Sequence, residues 1–455
     1  MNTKLIILRN ALIVLTVVVT SAFTSLVAMA RGAQSPKPLA TKTLQLSKEM
    51  EVGLEIEARS PGASWAMKGA EACDLSISVD GEYNQDLLLW SGDQMTTYRV
   101  MLGRLSKGSH TIALSINSLR SAAGAQRAEV KEVRPLPLGT TQATPELLEE
   151  QLALAYAPVL YARANTIDHF TDLPLLTYYE ILHDGVGDLT VRYTTIFTNE
   201  DGGTQTAALL ARWGRATDIE WVYQFRARGQ NILEETYQGV EHETKTFTGQ
   251  RSRGHHPLLA VASDNNNFSD LACSSVRFAP LPVRARLEAA TRESMMDLYP
   301  ETYRAMNDEL IREHRISETP TDINTIVDPR EYLYIEAVSI QESATLAFDA
   351  KVSGRPQVFA SDMGEPRLRI DRSGYFRTAV RLPSGVQPAQ VESVTARCHA
   401  TAKPATERGC NHLKVVRVLM LDQNFVPRAI PLRTSPETSL APEQTKVFPL
   451  SWPKS

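Results

Sequence analysis

The sequence predicts a mainly β protein with a few helices, of the α+β class, built from several β-sandwich domains. Apolar residues alternate with polar ones in many short segments, as at Val52, Leu54 and Ile56, and this period of two is typical of half-buried strands. Turn signals such as Asp80-Gly81 separate the segments and favour hairpins between neighbouring strands. The chain of 455 residues is longer than one ordinary core, so we expect two or three domains.

Residues 1–30 have the three parts of a secretory signal peptide. Lys4 and Arg9 form a short basic region, residues 12–19 form an apolar core, and Ala30 ends a small-x-small cleavage sequence. We therefore expect cleavage after Ala30 and an exported chain, periplasmic or secreted, with no transmembrane segment after signal removal. The alternative is an uncleaved anchor, because about 20 uncharged, apolar residues can span a bilayer.

Three domains and a linker are predicted after the signal: an N-terminal β-sandwich over residues 31–133, a linker over 134–144, a central β-rich domain with helices over 145–320, and a C-terminal β-sandwich over 321–455. The N-terminal module resembles the small sandwich domains appended to secreted enzymes and surface proteins. Pro135 and Pro137 indicate the linker, since proline cannot donate to a strand ladder. An alternative is that the C-terminal region continues the central domain.

Four helices are predicted in the central domain. Thr144 and Pro145 have the residue types of an N-cap and a first helical turn, and Pro158 marks the end of this helix. The other three helices are predicted over residues 206–215, 284–298 and 301–315.

Charge and motifs exclude some classes of function. The chain has 48 Lys and Arg against 52 Asp and Glu, a formal net charge of −4, with no basic run, so nucleic-acid binding has no electrostatic support. It also lacks the G-x-S-x-G elbow, the H-E-x-x-H helix, the P-loop and the dinucleotide fingerprint. Whether the protein is an enzyme is left open.

Four cysteines are present, and disulfides are the expected state in an exported protein. Cys398 and Cys410 are close in sequence and are predicted to pair. The alternative is a zinc site that also uses the neighbouring histidines, although the spacing matches no standard zinc template. Cys73 and Cys273 either pair across domains or stay free.

The strongest candidate site is the predicted strand from Asp218 to Phe225. Alternation places Asp218 and Glu220 on one face of this strand. The opposite face holds the aromatic residues Trp221, Tyr223 and Phe225. Two carboxylates at this spacing lie about 7 Å apart along the strand, which suits one metal ion, or an acid and a base on either side of a bond. The alternative is a half-exposed strand whose polar face meets water.

A pair of histidines and an oxygen-rich loop add further candidates. His255 and His256 precede an apolar strand, and histidine can act as a metal ligand or a general base. In the loop over residues 263–270, Asp264 is a candidate calcium ligand, together with Asn266 and Asp270. Surface histidines and plain Asx turns are the alternatives. A second acidic loop, residues 199–203, is interpreted as a turn.

These residues define two candidate sets. The catalytic candidates are Asp218, Glu220 and His256. The metal-ligand candidates are Asp218, Glu220, His255, His256 and Asp264, with calcium as the divalent cation considered and no cofactor firmly indicated.

Asp218-Ile219-Glu220-Trp221 and the later segment from His256 to Ala262 together carry a family resemblance. An acidic-Trp strand followed by a His-containing segment and an apolar strand resembles the order in necrosis-inducing-protein-like cytolysins and vacuolar-sorting-related proteins of similar β-sandwich fold. The resemblance covers residues 193–264. It departs from the family because the compact Gly-His-Arg-His-Asp-Trp-Glu block is absent. In the cytolysins that block binds a divalent metal near a lipid-headgroup pocket, so the resemblance implies this role for Asp218, Glu220 and His256.

Three functions are compatible with the sequence. The first is an exported protein that binds a glycan, a lipid or another envelope component, for which Trp90 on the N-terminal sandwich is a candidate contact. The second is a divalent-metal-assisted hydrolase of an extracellular polymer or ester, using Asp218, Glu220 and one of the two histidines. The third is a structural envelope protein.

Overall fold

The computed structural model describes residues 37–139, 144–163, 166, 169–185, 187–200, 202–402 and 408–451. The predicted signal peptide and its cleavage at Ala30 lie outside the described residues. Strands predominate over helices and belong to several separate sheets, which confirms the predicted mainly β, multi-domain sandwich architecture. Among the described residues, no helix has the length and apolar character needed to cross a membrane.

The first seven strands form a two-sheet sandwich, here called the N-terminal sandwich. Its strands are β1 (Ala40–Leu46), β2 (Met50–Arg59), β3 (Asp74–Val79), β4 (Glu82–Leu88), β5 (Thr96–Leu105), β6 (Gly108–Ile116) and β7 (Glu129–Pro137). The sheets have the orders β1-β6-β3-β4 and β5-β2-β7, and all their pairings are antiparallel. One apolar cluster fills the space between them, with Leu54 and Leu75 fully buried. The alternation of apolar residues therefore predicted the buried face correctly.

Three local features of this sandwich bear on the sequence predictions. Asp80 and Gly81 both have positive φ, 56° and 82°, as expected for the predicted hairpin turn. Pro135 and Pro137 lie inside β7 and not in a linker, because β7 is an edge strand in which the ladder can accommodate proline. Trp90 is only 9% exposed and packs edge-on against Tyr98, so it belongs largely to the core, and it also lines a cavity together with Tyr98 and Tyr299.

The central region has two sheets. The larger one has the order β13-β12-β11-β10-β9-β18, and the smaller one has the order β14-β15-β8-β17 with β16 beside β15. The strands are β8 (Val159–Tyr161), β9 (Pro174–His183), β10 (Leu189–Phe197), β11 (Ile219–Arg228), β12 (Asn231–Gln238), β13 (Thr244–Thr246), β14 (Arg251–Ser252), β15 (His256–Val261), β16 (Phe268–Ser269), β17 (Arg277–Phe278) and β18 (Val283–Arg284). The smaller sheet packs on one face of the larger sheet, where Phe225 and Leu259 share a cluster.

Three helices cover the other face of the larger sheet, where Tyr178 packs with Met296 and Tyr303, whereas the helix from Pro145 packs beside the smaller sheet, where Ala153 and Leu259 share a cluster. Four α-helices occur in the described part of the chain: α1 (Pro145–Ala155), α2 (Thr206–Trp213), α3 (Ser294–Leu298) and α4 (Glu301–Arg312). Thr144 caps α1 as predicted, since its hydroxyl accepts from the backbone N–H of Leu147. The helix predicted over residues 284–298 is shorter than expected, because Arg284 belongs to β18.

The C-terminal strands form a second two-sheet sandwich. They are β19 (Tyr332–Glu342), β20 (Ala344–Val352), β21 (Val358–Ala360), β22 (Gly374–Arg381), β23 (Val391–Ala400), β24 (Gly409–Leu421), β25 (Pro427–Ile430), β26 (Thr438–Leu440) and β27 (Thr445–Pro449). The sheet orders are β22-β19-β24-β25, with β26 on β24, and β21-β20-β23-β27. Cys398 on β23 and Cys410 on β24 form the predicted disulfide, which joins the two sheets. Cys73 is buried and free, and Cys273 is exposed and free.

Polar contacts join the N-terminal sandwich to the central region. The indole N–H of Trp65 donates to the buried Glu309 on α4, with 2.8 Å between Nε1 and Oε2. Arg312 donates to the carbonyl oxygen of Trp65 at 2.8 Å and lies over its ring. On another side, His256 of β15 contacts Glu51 of β2, with 2.9 Å between Nε2 and Oε2.

A buried ionic network joins the central helices to the C-terminal sandwich. Arg377 on β22 is fully buried, and its guanidinium lies 2.5 Å from Asp297 on α3 and 2.6 Å from Glu336 on β19. It also donates to the hydroxyl of Tyr303 on α4. Burial alone would raise the pKa of Glu336, but Arg377 and Arg417 outweigh it and lower that pKa to about 2.

Substitution of both cysteines tests how much the disulfide contributes to stability. Closing a loop of this length contributes about 3 kcal/mol in the chain-entropy model. The double variant Cys398→Ser/Cys410→Ser is therefore expected to lose about 3 kcal/mol of unfolding free energy. Urea unfolding followed by circular dichroism measures this loss, and Cys273→Ser, at the exposed free cysteine, is the control. Equal stability of the double variant and the control would contradict the expectation.

Substitution of Arg377 tests the ionic network. Arg377→Met leaves Asp297 and Glu336 without their buried partner, and breaking such a pair costs about 3–5 kcal/mol. The matched control is Arg417→Met, since Arg417 contacts the same two carboxylates but keeps 33% of its side chain exposed. Urea unfolding should show the larger loss for Arg377→Met, and equal losses would contradict a dominant role for Arg377.

Candidate functional site

A β-bulge in β11 sets the faces of the strand that carries Asp218 and Glu220. Tyr193 pairs with Tyr223 and the next residue, Thr194, pairs with Trp221, so Val222 is the extra residue. Beyond the bulge Ile219 packs with the helices, whereas Tyr223 packs against the smaller sheet. The predicted common face of Trp221, Tyr223 and Phe225 is therefore wrong, because one extra residue reverses the alternation.

The carboxylates Asp218 and Glu220 line one cavity, here called the Glu220 cavity, of about 270 Å³. Its wall draws on segments that are distant in the sequence: the loop after β10, the end of α2, the start of β11, the end of β12 and the turn after it. The polar residues that these segments contribute are Glu200, Arg215, Asp218, Glu220, Gln238 and His242. The Trp221 ring is half-buried at the same cavity, with the guanidinium of Arg192 5.9 Å from its centre.

Glu220 is held by two polar neighbours. The side-chain amide of Gln238, on the adjacent strand β12, donates to its carboxylate. His242 lies 3.7 Å away, measured from Nδ1 to Oε2, and its Nε2 is 2.9 Å from the amide of Asn265. Burial alone would raise the pKa of Glu220, but these hydrogen bonds outweigh it and lower the pKa. The Glu220 carboxylate in turn raises the pKa of His242.

Asp218 is in the opposite electrostatic state. It is 1% exposed, and one carboxyl oxygen accepts from the amide of Asn266 at 3.0 Å. Burial, reinforced by the charges of Glu220 and Glu200, raises its pKa well above the usual range. Burial thus favours the protonated form of Asp218, whereas the partners of Glu220 favour its charged form.

Glu200 is the third carboxyl group of the cavity. It is 6% exposed, and burial raises its pKa despite the nearby Arg215. Arg215 is itself paired with Glu293, with 3.2 Å between Nε and Oε1. Arg292 lies at the exposed rim and donates to the carbonyl oxygen of Ile219 at 3.1 Å. Positive and negative groups are therefore interleaved around the cavity.

Three of the thirteen described non-glycine residues with positive φ lie at or next to this cavity. Glu241 and His242 have φ of 62° and 59°, and Asn266 has φ of 45°. Non-glycine residues occupy this region at a cost of about 1–3 kcal/mol each, and such residues cluster at functional sites. The strain places His242 beside Glu220 and Asn266 beside Asp218.

The other predicted site residues lie elsewhere. His256 is 1% exposed and uses both ring nitrogens, with Nε2 on Glu51 and Nδ1 2.8 Å from the carbonyl oxygen of Ala157. It therefore joins two domains and does not line the Glu220 cavity. His255 stacks on Tyr156, with 5.0 Å between ring centres. Asp264 pairs with Arg163 and keeps 78% of its side chain exposed.

The oxygen-rich loop does not converge on one point. Asp270 accepts from the backbone N–H of Thr248 and from the hydroxyl of Tyr237, while Asn266 faces Asp218. Among the described residues, no group of three or more His, Cys, Asp or Glu is arranged to hold a metal ion. Because two guanidinium groups line the Glu220 cavity and burial raises the pKa of Asp218 there, the residues present do not fit the divalent cation that the family resemblance implies.

Most residues that line the cavity were not among the sequence candidates. Gln238, His242 and Arg215 carry no motif, and only the pairing of β11 with β12 brings the first two to Glu220. Glu200 lies in the loop interpreted as a turn. In the structure the preceding residue, Asn199, is buried and donates to Glu313 at 3.0 Å. The loop therefore folds inward and brings Glu200 to the cavity.

Comparison with known proteins shows no family. No protein-family model matches the chain, and no curated protein matches it. A solved structure described as "Biofilm associated protein - BSP domain" aligns with 93% of this chain and 94% of its own, at 6% identity and a TM-score of 0.12. That score carries no argument about fold or function. None of these comparisons tests the resemblance to the cytolysins.

Isosteric substitution of the two carboxyl groups should have opposite effects. The raised pKa of Asp218 means that ionisation opposes folding, so its contribution to stability is lost as the pH rises above the unfolded value of 3.8. Asp218→Asn is therefore expected to be at least as stable as the parent at pH 8. The lowered pKa of Glu220 means that its charge stabilises the fold, so Glu220→Gln should lose about 1–3 kcal/mol at the same pH.

Urea unfolding at pH 5 and pH 8 measures both effects, and metal analysis of the purified variants accompanies it. A strong loss of stability in Asp218→Asn at pH 8, together with loss of a bound metal, would contradict the raised pKa of Asp218 and restore the metal site.

Proposed function

We propose that this is an exported protein that binds a glycan of the cell envelope or the extracellular space, and that the Glu220 cavity holds one sugar residue. The signal-like residues 1–30 support export. The cavity supports the ligand class because a sugar hydroxyl both donates and accepts hydrogen bonds, and the wall supplies amide, carboxyl and guanidinium groups.

The observation that carries the proposal is the state of Gln238. Its side chain is 1% exposed and lines the cavity, yet its carbonyl oxygen has no hydrogen-bond partner among the described residues. A buried polar atom without a partner costs about 1–3 kcal/mol. Rotation of the Gln238 amide toward the cavity would let a ligand hydroxyl donate to this oxygen and remove that cost.

The charges of the cavity favour a neutral ligand. Glu293 offsets Arg215, while Arg292 and His242 lie near Glu220. Burial favours the uncharged forms of Asp218 and Glu200. A strongly charged ligand would break this balance, and an acyl chain would leave the polar wall without partners. The half-buried Trp221 ring adds an apolar surface of the kind that the CH groups of a pyranose contact.

Hydrolysis of the bound glycan is a second candidate, favoured by the unequal pKa values of neighbouring carboxyl groups. Environments that separate two such pKa values are typical of acid–base pairs. The neutral Asp218 would donate a proton to the leaving oxygen, and Glu220 would accept a proton from the attacking water, so that one water is consumed for each bond broken. This route uses neither His256 nor a metal ion.

Glycan binding can be tested with an array of neutral mono- and oligosaccharides, followed by calorimetry on the best ligand. Gln238→Met removes the unpartnered oxygen at similar volume and is expected to weaken binding about tenfold, equivalent to about 1.4 kcal/mol. His255→Ala, at an exposed ring outside the cavity, is the control and should bind like the parent. Absence of binding to every sugar would contradict the proposal, and release of shorter products that Asp218→Asn abolishes would support hydrolysis.

A further inference from the structure

We infer that the Glu220 cavity is one end of a longer cleft that takes an oligosaccharide and not a single sugar, an inference that rests on the proposed function. A second cavity, of about 490 Å³, shares Glu200 and Thr204 with the first. The two cavities are therefore adjacent, and an oligosaccharide that occupied both would extend past these two residues. The second cavity is here called the Asn324 cavity.

The Asn324 cavity is lined by side chains that suit sugar hydroxyls. Gln205, Asn324 and Thr325 contribute amide and hydroxyl groups, and His314 contributes an exposed imidazole. Glu313 already pairs with Arg315, at 3.0 Å, and the carboxylate of Asp322 accepts from the backbone N–H groups of Asn324 and Thr325, so these carboxylates already have partners. The same kind of neutral, hydroxyl-rich ligand thus fits both cavities.

Hydrogen bonds hold Glu200, which lies between the two cavities, and the segments on either side of it. The backbone N–H of Glu200 donates to the carbonyl oxygen of Ala216, three residues before Ile219 begins β11. Arg315 donates to the carbonyl oxygen of Glu200 at 3.3 Å. The N–H of Ala207 on α2 donates to the carbonyl oxygen of Ile323, next to Asn324. Because these bonds connect both cavities to the same frame, their spacing is constant, as a chain of linked sugar residues requires.

His314 has a strained backbone at the second cavity. Its φ is 60°, and its ring is exposed beside the end of α4. This resembles His242 at the first cavity, where a histidine with φ of 59° contacts Glu220. Each cavity therefore has an exposed imidazole held at a backbone conformation that costs about 1–3 kcal/mol.

The inference predicts that affinity rises with chain length. The probes are ladders of cello-, malto- and chito-oligosaccharides from one to six residues, titrated calorimetrically into the full chain. For the ladder that binds, the trimer and longer members should bind about tenfold or more tightly than the monosaccharide. Equal affinity at every length would overturn the longer cleft but leave the one-sugar site intact, and absence of binding in all ladders would overturn both proposals.

Variants separate the two cavities. His314→Asn/Asn324→Ala changes two exposed residues of the second cavity and should reduce the affinity for long oligomers to that for the monosaccharide, while monosaccharide binding is unchanged. The matched control is His412→Asn, since His412 is also an exposed histidine with positive φ, 50°, and lies on the C-terminal sandwich. Gln238→Met should weaken binding at every length. If the double variant keeps the full gain in affinity with length, the second cavity is not part of the cleft.

Discussion

The buried guanidinium of Arg377 is the contact on which the arrangement of the candidate site depends. It joins β22 to Asp297 on α3 and to Glu336 on β19. Glu336 also accepts from the hydroxyls of Thr291 and Ser294, which fixes the segment between them. That segment contains Arg292 and Glu293, the residues that reach the rim of the Glu220 cavity and Arg215. The C-terminal sandwich thus positions part of a site to which it contributes no lining residue.

Such a network is stable only when it is complete. Removing a charged group from water costs several kcal/mol, and the attraction of a partner offsets this only with good geometry and full hydrogen bonding. Here Arg377 contacts two carboxylates and a tyrosine hydroxyl, and Gly214 leaves room for it, because a Cβ at that position would lie 2.6 Å from Cγ of Arg377. Gly214 also ends α2 in the left-handed conformation. One glycine therefore meets a packing requirement and a capping requirement, and the chain turns there toward Arg215.

Features that depend on residues close in the chain could be predicted from the sequence, but contacts between distant segments could not. The alternation in β2 and β3, the N-cap at Thr144 and the pairing of Cys398 with Cys410 each depend on residues close in the chain, and each prediction was confirmed. The bulge at Val222 depends on how β10 pairs with β11, and its effect on Trp221 has no signal in the alternation. His256 illustrates the same limit, because its partner Glu51 is far away in the sequence.

The electrostatic state of the site explains why its function is hard to infer from residue types alone. Asp218 and Glu220 are two residues apart at the start of β11, yet the pKa of Asp218 is raised and that of Glu220 is lowered. The difference comes from their partners: an amide donor and full burial for Asp218, and an amide with an imidazole for Glu220. A pair of carboxylates in a sequence suggests a cation, since both are assumed to carry charge. Once burial favours the neutral form of one of them, and guanidinium groups line the same cavity, the chemistry changes to that of hydrogen bonding with an uncharged ligand.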